Sequence, residues 1–188
     1  LQTVLCMHGE SKAYTGFYER EYHPLVVNPN ARPEDHAAYP ELKRFIETFN
    51  LQDKKVLEIG GGGGQFQNVV QDYTGLDILE SLRKFYRKPF VVVRVGERYP
   101  FADGTFDAIF SISAFEHIPD LENALRETLR VLKVGGVLFF KPAWQVRPWA
   151  ANGYVVRPYG DFDIEGKLIK FFIPLRNWLT FRLLYIVP

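Results

Sequence analysis

From Lys55 onward the chain alternates short apolar runs with segments whose apolar residues recur at helical spacing. The apolar runs fall at Lys55–Ile59, Tyr73–Leu76, Phe90–Val93, Phe106–Ser111 and Val137–Phe140. Continuous runs of this kind suit strands covered on both faces of a parallel sheet. Between them the pattern predicts helices over residues 65–71, 79–87 and 121–132. The last is the best defined: Asp120 can cap its first turn, and Leu121, Ala124, Leu125, Leu129 and Leu132 form one apolar stripe. Gly135-Gly136 then supplies a left-handed stop. Upstream, Tyr39–Phe49 reads as a helix with Leu42, Phe45, Ile46 and Phe49 on one face. Residues 1–37 are turn-rich and aromatic, with Tyr14, Phe17, Tyr18 and Tyr22, and have no clean period. Repeated β-α-β units of this length predict an α/β fold, a doubly wound, mostly parallel sheet with helices on both faces. Ligands of such sheets bind beyond the carboxyl ends of the strands.

The 188 residues are enough for one domain with a substantial core. A lone cysteine, Cys6, excludes an internal disulfide and offers no metal-binding cluster, as expected in a reducing, cytoplasmic setting. The net charge of +1 gives no reason to invoke nucleic acid. Charge is uneven, however: from Lys141 onward seven Lys and Arg face three Asp and Glu, in a tail rich in Trp, Phe and Leu. No run is apolar for the eighteen or so residues that a membrane helix needs. The nearest, Leu168–Pro188, is broken by Lys170, Pro174, Arg176 and Arg182. Alternation of bulky apolar and basic residues over Lys167–Pro188 leaves two readings, a segment packed on the sheet or on a second subunit, and peripheral membrane contact. The absence of an initiator Met and the apolar end leave open the reading of a piece of a longer polypeptide, and no signal-peptide pattern is present at the N-terminus.

The chemistry concentrates at Val56-Leu57-Glu58-Ile59 followed by Gly60–Gly64. Glycines there let the backbone turn sharply and approach a ligand with no Cβ in the way. A dinucleotide fingerprint needs glycines at its first, third and sixth positions. Counting from Gly60 the sixth is Gln65, and from Gly61 it is Phe66, so the nicotinamide-type reading fails. The spacing G-x-G-x-G, with Glu58 two places before it, suits a nucleoside ligand without pyrophosphate. Asp77 closes the next run, Tyr73-Thr74-Gly75-Leu76-Asp77, where a carboxylate can accept from both hydroxyls of a ribose.

These residues, with Tyr99–Asp107, Phe115-Glu116-His117-Ile118 and Arg130–Gly136, resemble the class I S-adenosylmethionine-dependent methyltransferases, in their small-molecule, type 11-like branch. The resemblance covers roughly residues 40–142. It implies a Rossmann-like methyltransferase sheet of seven strands, with S-adenosyl-L-methionine as methyl donor to a small-molecule acceptor. By position, Glu58 and the loop residues Gly60, Gly61, Gly62 and Gly64 would face its methionine part, and Asp77 the ribose. Ser111 and its neighbours would line the methyl-transfer site. The chain then divides into a cap segment (1–50), a cofactor-binding core (51–142) and a substrate-side segment (143–188).

Three departures mark this chain. Where relatives carry an Asp for the adenine amino group the match is Val95, and Glu97 takes its place if the loop is two residues shorter. The interval from Gly60 to Asp77 is about one helical turn short. Few residues follow the fifth strand, and Leu179–Val187 is the candidate for a closing strand.

Methyl transfer from a sulfonium needs alignment and exclusion of water, with a base only where the acceptor must lose a proton. His117 is the candidate base, against a role in which Glu116 and His117 merely orient the turn before Pro119. His8, His23 and His36 read as surface residues. The Trp-, Tyr- and Arg-bearing stretch 141–159 is either an acceptor-binding loop or a proline-stiffened connector. Val95 and the short interval keep open a second reading, a non-catalytic binding or scaffold module on the same fold.

Overall fold

The structure, a computed structural model, describes residues 15–22, 27–28, 30–143, 164 and 167–168. The chain divides into two compact units, Leu1–Arg147 and Pro148–Pro188. In the second, only the exposed Ile164 and the helical pair Lys167–Leu168 are described.

The centre of the first unit is a sheet of five strands: β1 (Lys55–Ile59), β2 (Asp72–Asp77), β3 (Phe90–Val92), β4 (Phe106–Ile112) and β5 (Leu132–Lys141). They lie in the order β3-β2-β1-β4-β5, every neighbouring pair parallel. Two helices cover it, α1 (Tyr39–Thr48) and α2 (Leu121–Val131). Side chains alternate across the sheet. Val56, Tyr73, Ala108 and Phe110 pack with Leu42 and Ile46 of α1, while Leu57, Leu76 and Ile109 pack with Ala124 and Val131 of α2. The strands β1, β2 and β4 are thus covered on both faces, as the sequence predicts.

Four predictions need correction. No helix forms over 65–71, where residues 62–68 make successive turns. Twelve residues join β1 to β2 and must retrace the length of β1. That length is about 17 Å, for which a helix needs about eleven residues and leaves too few for the two reversals. A more extended path covers the distance. Over 79–87 the helix is a short 3₁₀ segment, Glu80–Phe85.

At α2, Asp120 caps as predicted, its Oδ1 accepting from the Asn123 N–H at 3.1 Å. The buried face, however, runs through Ala124, Glu127, Thr128 and Val131, and Leu129 is 63% exposed. Glu127 turns inward because its carboxylate accepts the Tyr99 N–H at 2.8 Å and holds Arg130. Finally, Gly135 and Gly136 do not stop the helix. It ends at Val131, and both glycines lie in β5, which slips its register against β4 between Phe106 and Ala108.

The motif residues around Arg130 form a staple. Its guanidinium donates to Glu127 Oε1 (2.8 Å) and Oε2 (2.6 Å), to Asp103 Oδ1 (2.6 Å), and to the carbonyls of Phe101 (2.9 Å) and Tyr99 (3.0 Å). The run Tyr99–Asp103 is thereby tied to α2.

Candidate functional site

The loops that leave the carboxyl ends of β1 to β4 surround a cavity of about 280 Å³. It lies where the strand order reverses, between β1 and β4, the place where open α/β sheets bind ligands. Gly60–Gly63 follow β1, Asp77–Leu79 end β2, Val93–Glu97 follow β3, and Ile112–Ala114 with His117 follow β4. Tyr18, Val27 and His36 from the N-terminal segment and Asn123 from α2 complete the wall.

Backbone geometry explains the glycines. Gly60 has φ +74°, and a Cβ there would stand 2.2 Å from the Ala114 Cβ. Gly62 has φ +51° with open space where a Cβ would point, and its N–H donates to Asp77 Oδ2 at 3.0 Å. Gly63 lies under Val27. Gly64, predicted to touch the ligand, is buried and absent from the cavity wall. A Cβ on it would press on Gln67 Nε2 at 2.8 Å.

Asp77 is half-buried on the wall. Besides Gly62, its carboxylate accepts from the Ile78 N–H at 2.7 Å and the Leu79 N–H at 3.3 Å. These bonds aim the carboxylate and join the ends of β1 and β2.

Glu58 also lies on the wall and is 3% exposed. It accepts a hydrogen bond from the Tyr73 hydroxyl. Burial pushes its carboxyl up to about 8, opposed by the Tyr73 bond and reinforced by the nearby charge of Asp77. Tyr86 stacks on Phe90, ring centroids 4.2 Å apart, and places its hydroxyl 2.4 Å from where a Gly61 Cβ would be. Gly61 is thus required by the tyrosine beneath it.

His117 is half-buried on the wall, in a 3₁₀ turn (Phe115–His117). Burial lowers its imidazole below the ordinary histidine value, against a smaller upward pull from Glu116, whose Oε1 lies 3.8 Å from Nε2. Its ring meets Tyr18 edge-on at 6.1 Å. Glu116 Oε1 accepts the Ala143 N–H at 2.9 Å, which anchors the chain as it leaves β5.

Ser111 does not reach the cavity. It is buried under the sheet end, its hydroxyl donating to the Ile59 carbonyl at 2.8 Å, and Ile112, Ser113 and Ala114 take the place predicted for it. Glu97 reaches the rim, where its carboxylate meets the Arg94 guanidinium at 3.4 Å. Val95 lies beside it, half-buried. His36, read from the sequence as a surface residue, is half-buried against Phe66 and lines the cavity. His8, His23, Cys6, residues 144–159 and Leu179–Val187 fall outside the described residues.

Three contributors had no sequence signal. Tyr18 and Val27 lie in a segment without periodicity, and Asn123 sits one position off the stripe of α2. Gln67 acts from below: its Nε2 donates to the carbonyls of Gly64 and Phe85, both at 3.0 Å. Its Oε1 accepts from the N–H groups of Arg87 (2.7 Å) and Lys88 (3.3 Å). Among the described residues no cluster of metal-ligating side chains is found, and no helix is long and apolar enough to cross a membrane.

The profile of a Methyltransferase domain family matches residues 57–140, the stretch that builds most of this cavity. An uncharacterized protein of Methanocaldococcus jannaschii is 32% identical over 133 residues, 69% of this chain and 59% of that protein. A phthiotriol/phenolphthiotriol dimycocerosates methyltransferase of Mycobacterium ulcerans is 27% identical over 137 residues, covering 64% and 51%. A ubiquinone biosynthesis O-methyltransferase of Bordetella avium is 28% identical over 137 residues, covering 65% and 53%. The chain spans between 51% and 59% of the length of these relatives.

Proposed function

We propose, from the premise that this chain belongs to the class I S-adenosylmethionine-dependent methyltransferases, that it transfers a methyl group from that donor to a small-molecule acceptor. The observation that carries the reading is the convergence of Asp77 and the glycine loop on one cavity at the reversal of strand order. Asp77 fits a ribose. A carboxylate offers about four lone-pair sites, and backbone N–H groups hold this one at the cavity wall. The open side of Gly62 lets a ligand approach the loop backbone, and Glu58 stands at the end assigned to the methionine part.

When bound, the donor supplies a methyl group already activated by a sulfonium. The chain's own residues then align it and exclude water. Ile59, Phe66, Leu79, Val93, Ile112 and Ile118 provide apolar surface for that exclusion. His117, kept neutral near pH 7 by its burial, takes the proton from acceptors whose attacking oxygen or nitrogen carries one. The names of the relatives, one acting in ubiquinone biosynthesis and one on a mycocerosate lipid, favour an acceptor that is a quinone precursor or a lipid-linked metabolite.

Isothermal titration with S-adenosylmethionine and S-adenosylhomocysteine tests the donor half. Both should bind the wild type, and Asp77→Asn should weaken both by about tenfold or more, because charge-assisted bonds contribute about 1.5–3 kcal/mol. No binding by the wild type at millimolar ligand would sink the reading. Binding without methyl transfer to any fraction of a metabolite and lipid extract would move the chain to the second reading, a binding module, which Val95 at the adenine end favours.

A further inference from the structure

We infer that the side-chain amide of Asn123 recognises the amino edge of the adenine in the bound cofactor, taking the place of the carboxylate missing at position 95. The inference rests on the donor reading above and extends it to the adenine end of the cavity.

At the end of β3 the rim is made by Arg94, Val95, Gly96 and Glu97. Val95 offers no polar side chain. The Glu97 carboxylate, half exposed, is drawn toward Arg94. Asn123 enters from the first turn of α2, half-buried on the cavity wall. Its Nδ2 donates to the Gly96 carbonyl at 3.3 Å, which places the amide next to Val95. Its own backbone is held by the Asp120 cap at 3.1 Å, so both ends of the side chain are located.

The bond to Gly96 also decides which way the amide faces. A carbonyl can only accept, so nitrogen must be the atom turned to it. Oδ1 is then an acceptor and the second N–H a donor at the rim. Adenine presents an amino donor beside a ring-nitrogen acceptor, and an Asn amide matches that pair in two bonds. Hypoxanthine presents an oxygen where adenine has the amino group, and it would meet Oδ1 with like polarity. A carboxylate could satisfy only the donor half of adenine.

The experiment is titration of the wild type, Asn123→Ala and Glu97→Ala with S-adenosylhomocysteine and with S-inosylhomocysteine, its deaminated analogue. Alanine is favourable in a helix, and thermal unfolding of each variant checks that it is folded. The wild type should prefer the adenosyl compound by about tenfold or more, and Asn123→Ala should bring the two affinities to within about twofold. Glu97→Ala should keep the preference. A preference that survives Asn123→Ala, or that is lost in Glu97→Ala instead, overturns the inference. So does a wild type that binds both compounds equally, although the donor reading then stands. A wild type that binds neither overturns both.

Discussion

Substituting Glu58 by Gln should flatten the dependence of stability on pH. In the folded chain the carboxyl is raised by burial to about 8 from an ordinary 4.5. Between these values the folded state holds one proton more than the unfolded state, so unfolding releases it and stability falls as pH rises. The contribution is therefore fully present below about pH 4.5 and is lost as the solution passes about pH 8. At about 1.4 kcal/mol per unit, integration from about pH 5 to pH 8 gives a loss of about 3–4 kcal/mol. Gln is neutral throughout, and its amide oxygen can still accept the Tyr73 hydroxyl. Other titrating groups act on both proteins and cancel in the difference. Urea unfolding followed by circular dichroism, at about one-unit steps across that range, should show the wild type losing that much relative to Glu58→Gln. A difference constant to within about 0.5 kcal/mol would mean that Glu58 is ionised in the folded chain, and the reasoning from its burial would be wrong.

Gly60→Ala should destabilise by about 2–5 kcal/mol, from left-handed strain and a clash with Ala114. Adding Ala114→Gly should return only the packing part, measured as a partial recovery of Tm; full recovery would show that φ strain is negligible. Arg130→Lys should cost about 2–4 kcal/mol in urea unfolding, because one ammonium cannot serve two carboxylates and two carbonyls at once. A cost under about 0.5 kcal/mol would show that the staple adds nothing to stability.

The sheet was legible because its strands carry short runs that are mostly apolar, and so were the glycine loop and Asp77, because their residues are local in sequence. What escaped depends on distance or on side chains serving neighbours. The helix expected over 65–71 fails on a length that appears only once β1 and β2 are adjacent. Leu129 reads as buried because it is apolar, but Glu127 is held inward by the Tyr99 N–H, and Thr128 is buried with its hydroxyl satisfied by the Ala124 carbonyl of its own helix. Ser111 has the right position along β4, yet the Ile59 carbonyl at the end of the neighbouring β1 takes its hydroxyl. The family signature around Tyr99–Asp103 and Arg130 includes a structural staple, which spacing alone does not reveal. Asn123 and His36 have polar identities that fit a surface as well as a cavity until the fold brings them to it.

Gln67 has a consequence for how tightly this cavity can hold a ligand. Five consecutive glycines lose more conformational entropy on being ordered than any other residues would. Here that ordering accompanies folding. Gln67 pins the Gly64 carbonyl from below, Asp77 pins the Gly62 N–H from above, and Tyr86 sits against Gly61. A ligand arriving at such a loop meets backbone groups already in place, so its binding free energy is not diminished by immobilising them. A chain that spares a whole helix between its first two strands can in this way keep a rigid cradle with a single amide beneath it.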